Sequence, residues 1–148
     1  MKKEVVVRTL PELEAEAARF MRELVPSDFG ATFVPLSGEP GAGKTAFVKA
    51  VAHALGIDET VTSPTFVLEK IYQLGSSTSK FKRLVHIDAY RLESGRDLAS
   101  LGFDELMQDV GNLVMLEWPE RVASALPVPA HELAFVVESS GSRTISYG

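Results

Sequence analysis

One eight-residue string constrains this chain more than any other: Gly38-Glu39-Pro40-Gly41-Ala42-Gly43-Lys44-Thr45 satisfies the phosphate-loop spacing G-x-x-x-x-G-K-[ST]. Without a Cβ at Gly38 and Gly43, the backbone can turn through angles closed to other residues and bring its N–H groups around an anion. Lys44 then supplies a mobile positive charge to terminal phosphates. The Thr45 hydroxyl, one residue further round, is placed to ligate magnesium. The flanks suit the motif, because residues 32–37 form a short apolar run that reads as a buried strand and residues 46–55 carry apolar side chains at helical spacing. A helix beginning near Lys44 adds the positive end of its dipole. The expected ligands are a nucleoside triphosphate and Mg2+. Their expected contacts are Gly38, Glu39, Pro40, Gly41, Ala42, Gly43, Lys44, Thr45 and Ala46. The competing reading, a glycine-rich turn without a ligand, does not account for the strand before the loop and the helix after it.

At 148 residues the chain is expected to form one domain, 1–148, long enough to bury a core without staples. It has no cysteine, which removes thiol catalysis and cysteine-based metal sites. Its 15 basic residues are scattered among 20 acidic ones for a net charge of −5, so tight direct gripping of nucleic acid is not expected, and a link to RNA would run through a partner. The start returns to charge too soon for a secretory segment, and no apolar run approaches membrane-spanning length. A cytoplasmic protein is the expectation.

Along the chain, residues 4–9 read as a strand, and Thr9-Leu10-Pro11-Glu12 offers a capping-box start for a helix to about Leu24. The loop helix is expected to stop near Gly56, before a hydroxyl-rich connection, Val61-Thr62-Ser63-Pro64-Thr65. Residues 66–74 and 83–90 are strand-like around a polar, turn-rich stretch, which predicts an antiparallel hairpin with a mobile tip. Helical turns are expected over residues 94–108 with an interruption at Gly102. Leu113-Val114-Met115-Leu116 is a strand buried on both faces and ending on Glu117. A short helix over residues 119–126 and a closing strand pair, 132–137 with 144–147, complete the chain.

A phosphate-loop site needs a carboxylate at the end of a neighbouring strand, because magnesium is hard, octahedral and oxygen-seeking. Glu117 and Asp88 both follow apolar runs, so each is a candidate; the competing reading for either is a solvated acid at a strand end. Two acids suggest divided labour, one holding the metal and the other orienting or activating water. His86, two residues before Asp88, shares its strand face, either as a hydrogen-bonded structural histidine or near the phosphates. Trp118, the sole tryptophan, reads as packing or as a reporter or partner contact. Thr62, Ser63 and Thr65 occupy the place of a phosphate-sensing segment or of a proline-stiffened loop, and Arg91 faces a phosphate or a surface acid.

Together these segments resemble the TsaE (YjeE) family in order and spacing. The resemblance is carried by the GEPGAGKT loop, Val61-Thr62-Ser63-Pro64-Thr65-Phe66, His86-Ile87-Asp88-Ala89-Tyr90-Arg91-Leu92, Leu101-Gly102-Phe103-Asp104-Glu105 and Leu116-Glu117-Trp118-Pro119-Glu120-Arg121-Val122. It implies a P-loop NTPase-like, three-layer α/β fold with a mixed, mostly parallel central sheet and an antiparallel hairpin, flanked by helices. It further implies an ATP- and Mg2+-dependent ATPase needed for threonylcarbamoyladenosine in tRNA, hydrolysing ATP to support repeated turnover alongside TsaD and TsaB. By position, Lys44 and Asp88 are then the catalytic residues, while Thr45 and Glu117 are the metal-side pair. Residues 62–65 correspond to a switch-like segment.

Two further readings remain at this point. A small-molecule kinase would ordinarily close an arginine-bearing lid over the donor, and no long insertion supplies one. A nucleotide-gated binding module would use ATP to set affinity for a partner, with hydrolysis incidental. Guanine recognition is disfavoured because no Asn-Lys-x-Asp segment exists.

Overall fold

The computed structural model describes residues 3–57, 69–75 and 80–148. The hydroxyl-rich segment 61–65 and most of the hairpin tip lie outside the described residues.

The long apolar runs become the middle of a seven-stranded sheet. In chain order the strands are β1 (Lys3–Val7), β2 (Thr32–Gly38), β3 (Glu69–Gln73), β4 (Arg83–Asp88), β5 (Asn112–Glu117), β6 (Leu133–Val137) and β7 (Arg143–Tyr147), arranged spatially as β1-β7-β6-β2-β5-β4-β3. The neighbours β6-β2, β2-β5 and β5-β4 are parallel, and the three outer pairings are antiparallel. The sheet is thus mixed, but only half of its pairings are parallel, so the parallel share is smaller than expected. Both the β3-β4 hairpin and the closing β6-β7 pair form.

Successive residues of a strand face opposite sides, and here both sides are apolar. Val34, Leu36, Leu113 and Met115 join one core with Leu13, Ala17 and Phe20 of α1 (Leu10–Glu23) and Phe47, Val48 and Val51 of α2 (Lys44–Ala54). Phe33, Val85, Ile87, Val114 and Leu116 join a second core with Leu98 of α3 (Gly95–Ala99) and Phe103 of α4 (Phe103–Leu106). The break between α3 and α4 falls at Gly102, as expected. Residues 119–126 differ from expectation: they form two 3-10 turns, Pro119–Arg121 and Ala123–Ala125. Pro127 holds Leu126 in extended backbone (φ −84°, ψ 137°), closing the stretch from its C-terminal end after only two short turns.

Pro35 sits inside a central strand, where it removes a ladder donor. The Phe33 carbonyl accepts from Ala130 N–H, so residues 33 and 35 turn their peptide groups toward the β6 side, and β6 pairs with β2 only from Leu36 onward. The missing N–H therefore falls where no ladder exists.

α1 begins at Thr9, whose hydroxyl accepts from Glu12 N–H at 3.2 Å, while the Glu12 carboxylate accepts from Arg8 N–H. This is the expected capping box with its reciprocal bond moved one residue outward. At the other end Lys80 Nζ donates to the carbonyls of Met21, Arg22 and Leu24 at 2.9–3.1 Å, tying the hairpin to the helix terminus. Midway, buried Glu16 accepts from Tyr147 Oη at 2.5 Å and from both Arg19 Nε and Nη2, clamping α1 to β7. Burial alone would raise the Glu16 pKa, but hydrogen bonds from Arg19 and Tyr147 and the charges of Arg19 and Lys3 together hold it below the ordinary value.

A carboxylate with a depressed folded pKa adds stability above its unfolded pKa and loses it as pH falls through the folded one. Tyr147→Phe is therefore expected to lower stability at neutral pH by about 1.5 kcal/mol, the worth of a hydrogen bond to a charged group. The difference from wild type should shrink as Glu16 becomes protonated. Urea titrations at neutral pH and at successively lower pH, down through the Glu16 titration, check both parts.

Candidate functional site

The glycine loop leaves β2 at the carboxyl edge of the parallel strands, where the ends of β4 and β5 also emerge. Gly38 has φ 140° and Gly43 φ 108°, both in the region that favours glycine. Gly43 caps α2, and its carbonyl accepts the first helical bond from Phe47 N–H at 2.8 Å. The N–H groups of the first turn of α2 are thereby left facing the loop. A Cβ on Gly38 would lie 2.5 Å from the backbone oxygen of Phe135, whereas one on Gly41 would meet nothing within 4 Å.

Lys44 is only 4 % exposed. Its Nζ donates to the Gly38 carbonyl at 2.5 Å and lies 3.7 Å from the centre of the Trp118 ring. Burial pulls the Lys44 pKa down, opposed by the negative charges of Glu117, Glu120 and Asp88. Trp118 holds its ring there from a left-handed backbone, φ 61°, the only positive φ at a non-glycine among the described residues. Its N–H still donates to the Leu36 carbonyl at 3.3 Å.

Glu117 and Asp88 are the last residues of adjacent parallel strands and stand opposite each other in register. Both are nearly buried. Thr45 Oγ1 lies 3.0 Å from each Glu117 carboxylate oxygen, and His86 Nε2 lies 2.6 Å from Oε2. Asp88 Oδ1 accepts from Tyr90 N–H at 3.0 Å, which turns the chain at the strand end. Two ligands at right angles on an octahedral magnesium with bonds of 2.0–2.1 Å stand about 2.9 Å apart, so the Thr45 and Glu117 oxygens fit that ion. Among the described residues no cluster of three or more His, Cys, Asp or Glu side chains could cage a metal.

These groups line a cleft of about 650 Å³. It brings together Pro40, Gly41, Gly43, Lys44, Thr45, Ala46, Asp88 and Glu117 from the residues expected by sequence. Gly38 does not line it but accepts from Lys44, which does. Glu39 accepts the Ala42 N–H at 3.1 Å and stays exposed, while Ala42 is buried under the loop. Arg91 is exposed and does not line the cleft.

Two parts of the wall were not expected. Val7, Leu10 and Leu13 give it an apolar side, and Arg143 of β7 reaches over to donate from Nη2 to the Gly41 carbonyl at 3.1 Å. Neither carries a local motif. Both reach the loop only because β1 and β7 lie on the β6 side of β2.

The comparisons with known proteins show the family. The sequence model described as "Threonylcarbamoyl adenosine biosynthesis protein TsaE" matches residues 7–145. The chain belongs to the TsaE family. It is 42 % identical over 113 residues to the tRNA threonylcarbamoyladenosine biosynthesis protein TsaE of Treponema pallidum, covering 76 % of this chain and 78 % of the relative. Against the TsaE of Rickettsia prowazekii it is 36 % identical over 131 residues, covering 88 % and 83 %. Among solved structures, the Bacillus protein YdiB superposes with a TM-score of 0.77 at 25 % identity, covering 99 % of this chain and 84 % of that one.

Because Gly38 meets a backbone atom and Gly41 meets nothing, their alanine variants are expected to separate. Gly41→Ala should cost about 1–2 kcal/mol, the penalty of a left-handed alanine. Gly38→Ala should cost more, because β6 or the loop must also shift. Denaturant unfolding of the two variants checks the order.

Proposed function

We propose that this TsaE-family chain is a Mg2+-dependent ATPase, one P-loop domain over residues 1–148, that serves threonylcarbamoyladenosine formation in tRNA together with TsaD and TsaB. The observation that carries the reading is the meeting of Thr45 and Glu117 at 3.0 Å beside Lys44, at the mouth of a glycine loop. Family membership supplies the pathway and the names of the relatives supply the tRNA product. The absence of a helix long and apolar enough to cross a membrane, among the described residues, agrees with a cytoplasmic setting.

In this reading the backbone of residues 38–46 cradles the phosphates and the apolar side formed by Val7, Leu10 and Leu13 receives the base. Thr45 and Glu117 would hold magnesium, which when bound neutralises charge on the terminal phosphates. Lys44 balances charge developing on the transferred phosphoryl oxygens. Asp88 orients a water for attack on the terminal phosphorus and draws off its proton, and the bond to the bridging oxygen breaks to leave ADP and phosphate. A non-enzymatic, nucleotide-gated module would need Thr45 and Glu117 alone; a second buried acid in the same cleft, opposite Glu117 in register, supports turnover.

Lys44→Ala is expected to lower turnover roughly a hundredfold or more. Glu117→Gln should shift the magnesium dependence, while Asp88→Asn should keep ATP and lose hydrolysis. Steady-state ATPase assays with magnesium titrations and nucleotide-binding measurements distinguish these. Equal, mild effects of both acids on turnover would mean that they are surface carboxylates. The purified chain should hydrolyse ATP slowly alone and faster with TsaD and TsaB present. Stoichiometric phosphorylation of a small molecule would replace this reading with a kinase.

A further inference from the structure

We propose that His86 is a positioning residue for the metal-side carboxylate: its Nε2–H anchors one oxygen of Glu117 and leaves the other for the cation. This rests on the reading of Thr45 and Glu117 as the magnesium pair. His86 is fully buried and does not line the cleft, so it can touch neither nucleotide nor metal and can act only through Glu117.

The fold accounts for the contact. His86 pairs in register with Met115, which puts Glu117 two residues further along the neighbouring strand on the same face, within reach of an imidazole. The packing around it does not call for a histidine. Leu84, Val85, Ile87 and Met115 are all completely buried apolar neighbours along these strands. A leucine would fill such a place at the loss of only the bond to Glu117 Oε2.

Instead the ring makes one bond, from Nε2 to Glu117 Oε2 at 2.6 Å, and its Nδ1 is buried with no hydrogen-bond partner among the described residues. A carboxylate accepts only, so Nε2 is the donor in this pair. A buried ring whose one hydrogen bond among the described residues goes to a carboxylate has the character of an outer-shell partner that orients a metal ligand.

The consequence is directional. Thr45 Oγ1 is equidistant from both Glu117 oxygens, and among the described residues the histidine is what makes them unequal. With Oε2 anchored, Oε1 is presented singly. One-oxygen ligation suits a small octahedral magnesium, whereas calcium readily takes both oxygens of a carboxylate. His86 thus sets ion choice as well as affinity.

The test is nucleotide binding and hydrolysis measured on the full chain against Mg2+ and against Ca2+. His86→Leu is expected to raise the magnesium needed for half-maximal activity about tenfold, the lower range for loss of an outer-shell partner, and to narrow the preference over calcium. At saturating magnesium the KM for ATP should change less than about threefold. His86→Gln places an amide N–H where Nε2 stood and should restore the magnesium requirement to within about threefold of wild type. Failure of that rescue, or a wild-type requirement in His86→Leu, overturns the proposal. If His86→Leu does not fold, His86→Asn, which moves the donor back to the Nδ1 position, is expected to show the same tenfold rise. A normal requirement there overturns it equally.

In a Glu117→Gln background, His86→Leu should add nothing to the magnesium requirement, and an independent tenfold rise would show that the ring acts elsewhere. A Glu117→Gln variant with unaltered magnesium dependence sinks the metal-site reading itself. His86→Leu behaving as wild type beside an impaired Glu117→Gln sinks only the histidine's role.

Discussion

A buried lysine organises the site. Taking an ammonium out of water is costly, and the depressed pKa of Lys44 records that cost. What keeps the charge tenable is arranged from several directions. The Gly38 carbonyl accepts a hydrogen bond, the Trp118 face lies over Nζ, and Glu117, Glu120 and Asp88 provide an opposing field. Each of these lies at the carboxyl edge of the parallel strands or immediately after it, so the sheet's strand order decides whether such a lysine is supportable.

That order has a simple logic. β2 carries the loop and is paired on one side by β5 and on the other by β6, so the loop leaves from the interior of the sheet with strand ends on both flanks. The β5 flank supplies Glu117, opposite Leu36, and the next strand supplies Asp88 opposite Glu117. Parallel strands put their carboxyl ends on one edge by construction, and adjacent strands are about 4.8 Å apart. Two acids that are 29 residues apart in the chain therefore become neighbours without any special loop. The β6 flank instead supplies backbone, the Phe135 carbonyl, and that close approach is what demands a glycine at position 38.

How much of this was legible before the structure follows from whether a feature is local. The strand, loop and α2 were readable because the glycines, Lys44 and Thr45 are fixed by spacing within one segment, and Glu117 and Asp88 because an acid closing an apolar run announces a strand end. The hairpin, the break at Gly102 and the cap at Thr9 are likewise local. Arg143 and the Val7 side of the cleft were not readable, since they depend on β7 lying between β1 and β6, a pairing that joins the two ends of the chain. Residues 119–126 fall short of the expected helix because Pro127 keeps Leu126 extended and ends the stretch there. His86 could be placed on the face of Asp88 by its two-residue offset, but its bond runs diagonally to another strand, and register is not written in either strand alone.

Trp118 shows how the two flanks are joined. A bulky residue with φ 61° is strained by roughly 1–3 kcal/mol, and such strain persists only where its surroundings over-determine it. Here the N–H completes the ladder to Leu36, Pro119 fixes the following backbone, and the ring is held between Lys44 and Tyr90, whose ring centre is 5.0 Å away. Arg121, from the first 3-10 turn, then lies 5.3 Å over Tyr90. The left-handed turn aims the indole back across the strand end instead of onward with the chain. Relaxing it to an extended conformation would carry the ring off Lys44 and break the Arg121-Tyr90-Trp118-Lys44 column. The strain is thus the local cost of covering a buried cation with an aromatic face at the point where β5 leaves the sheet.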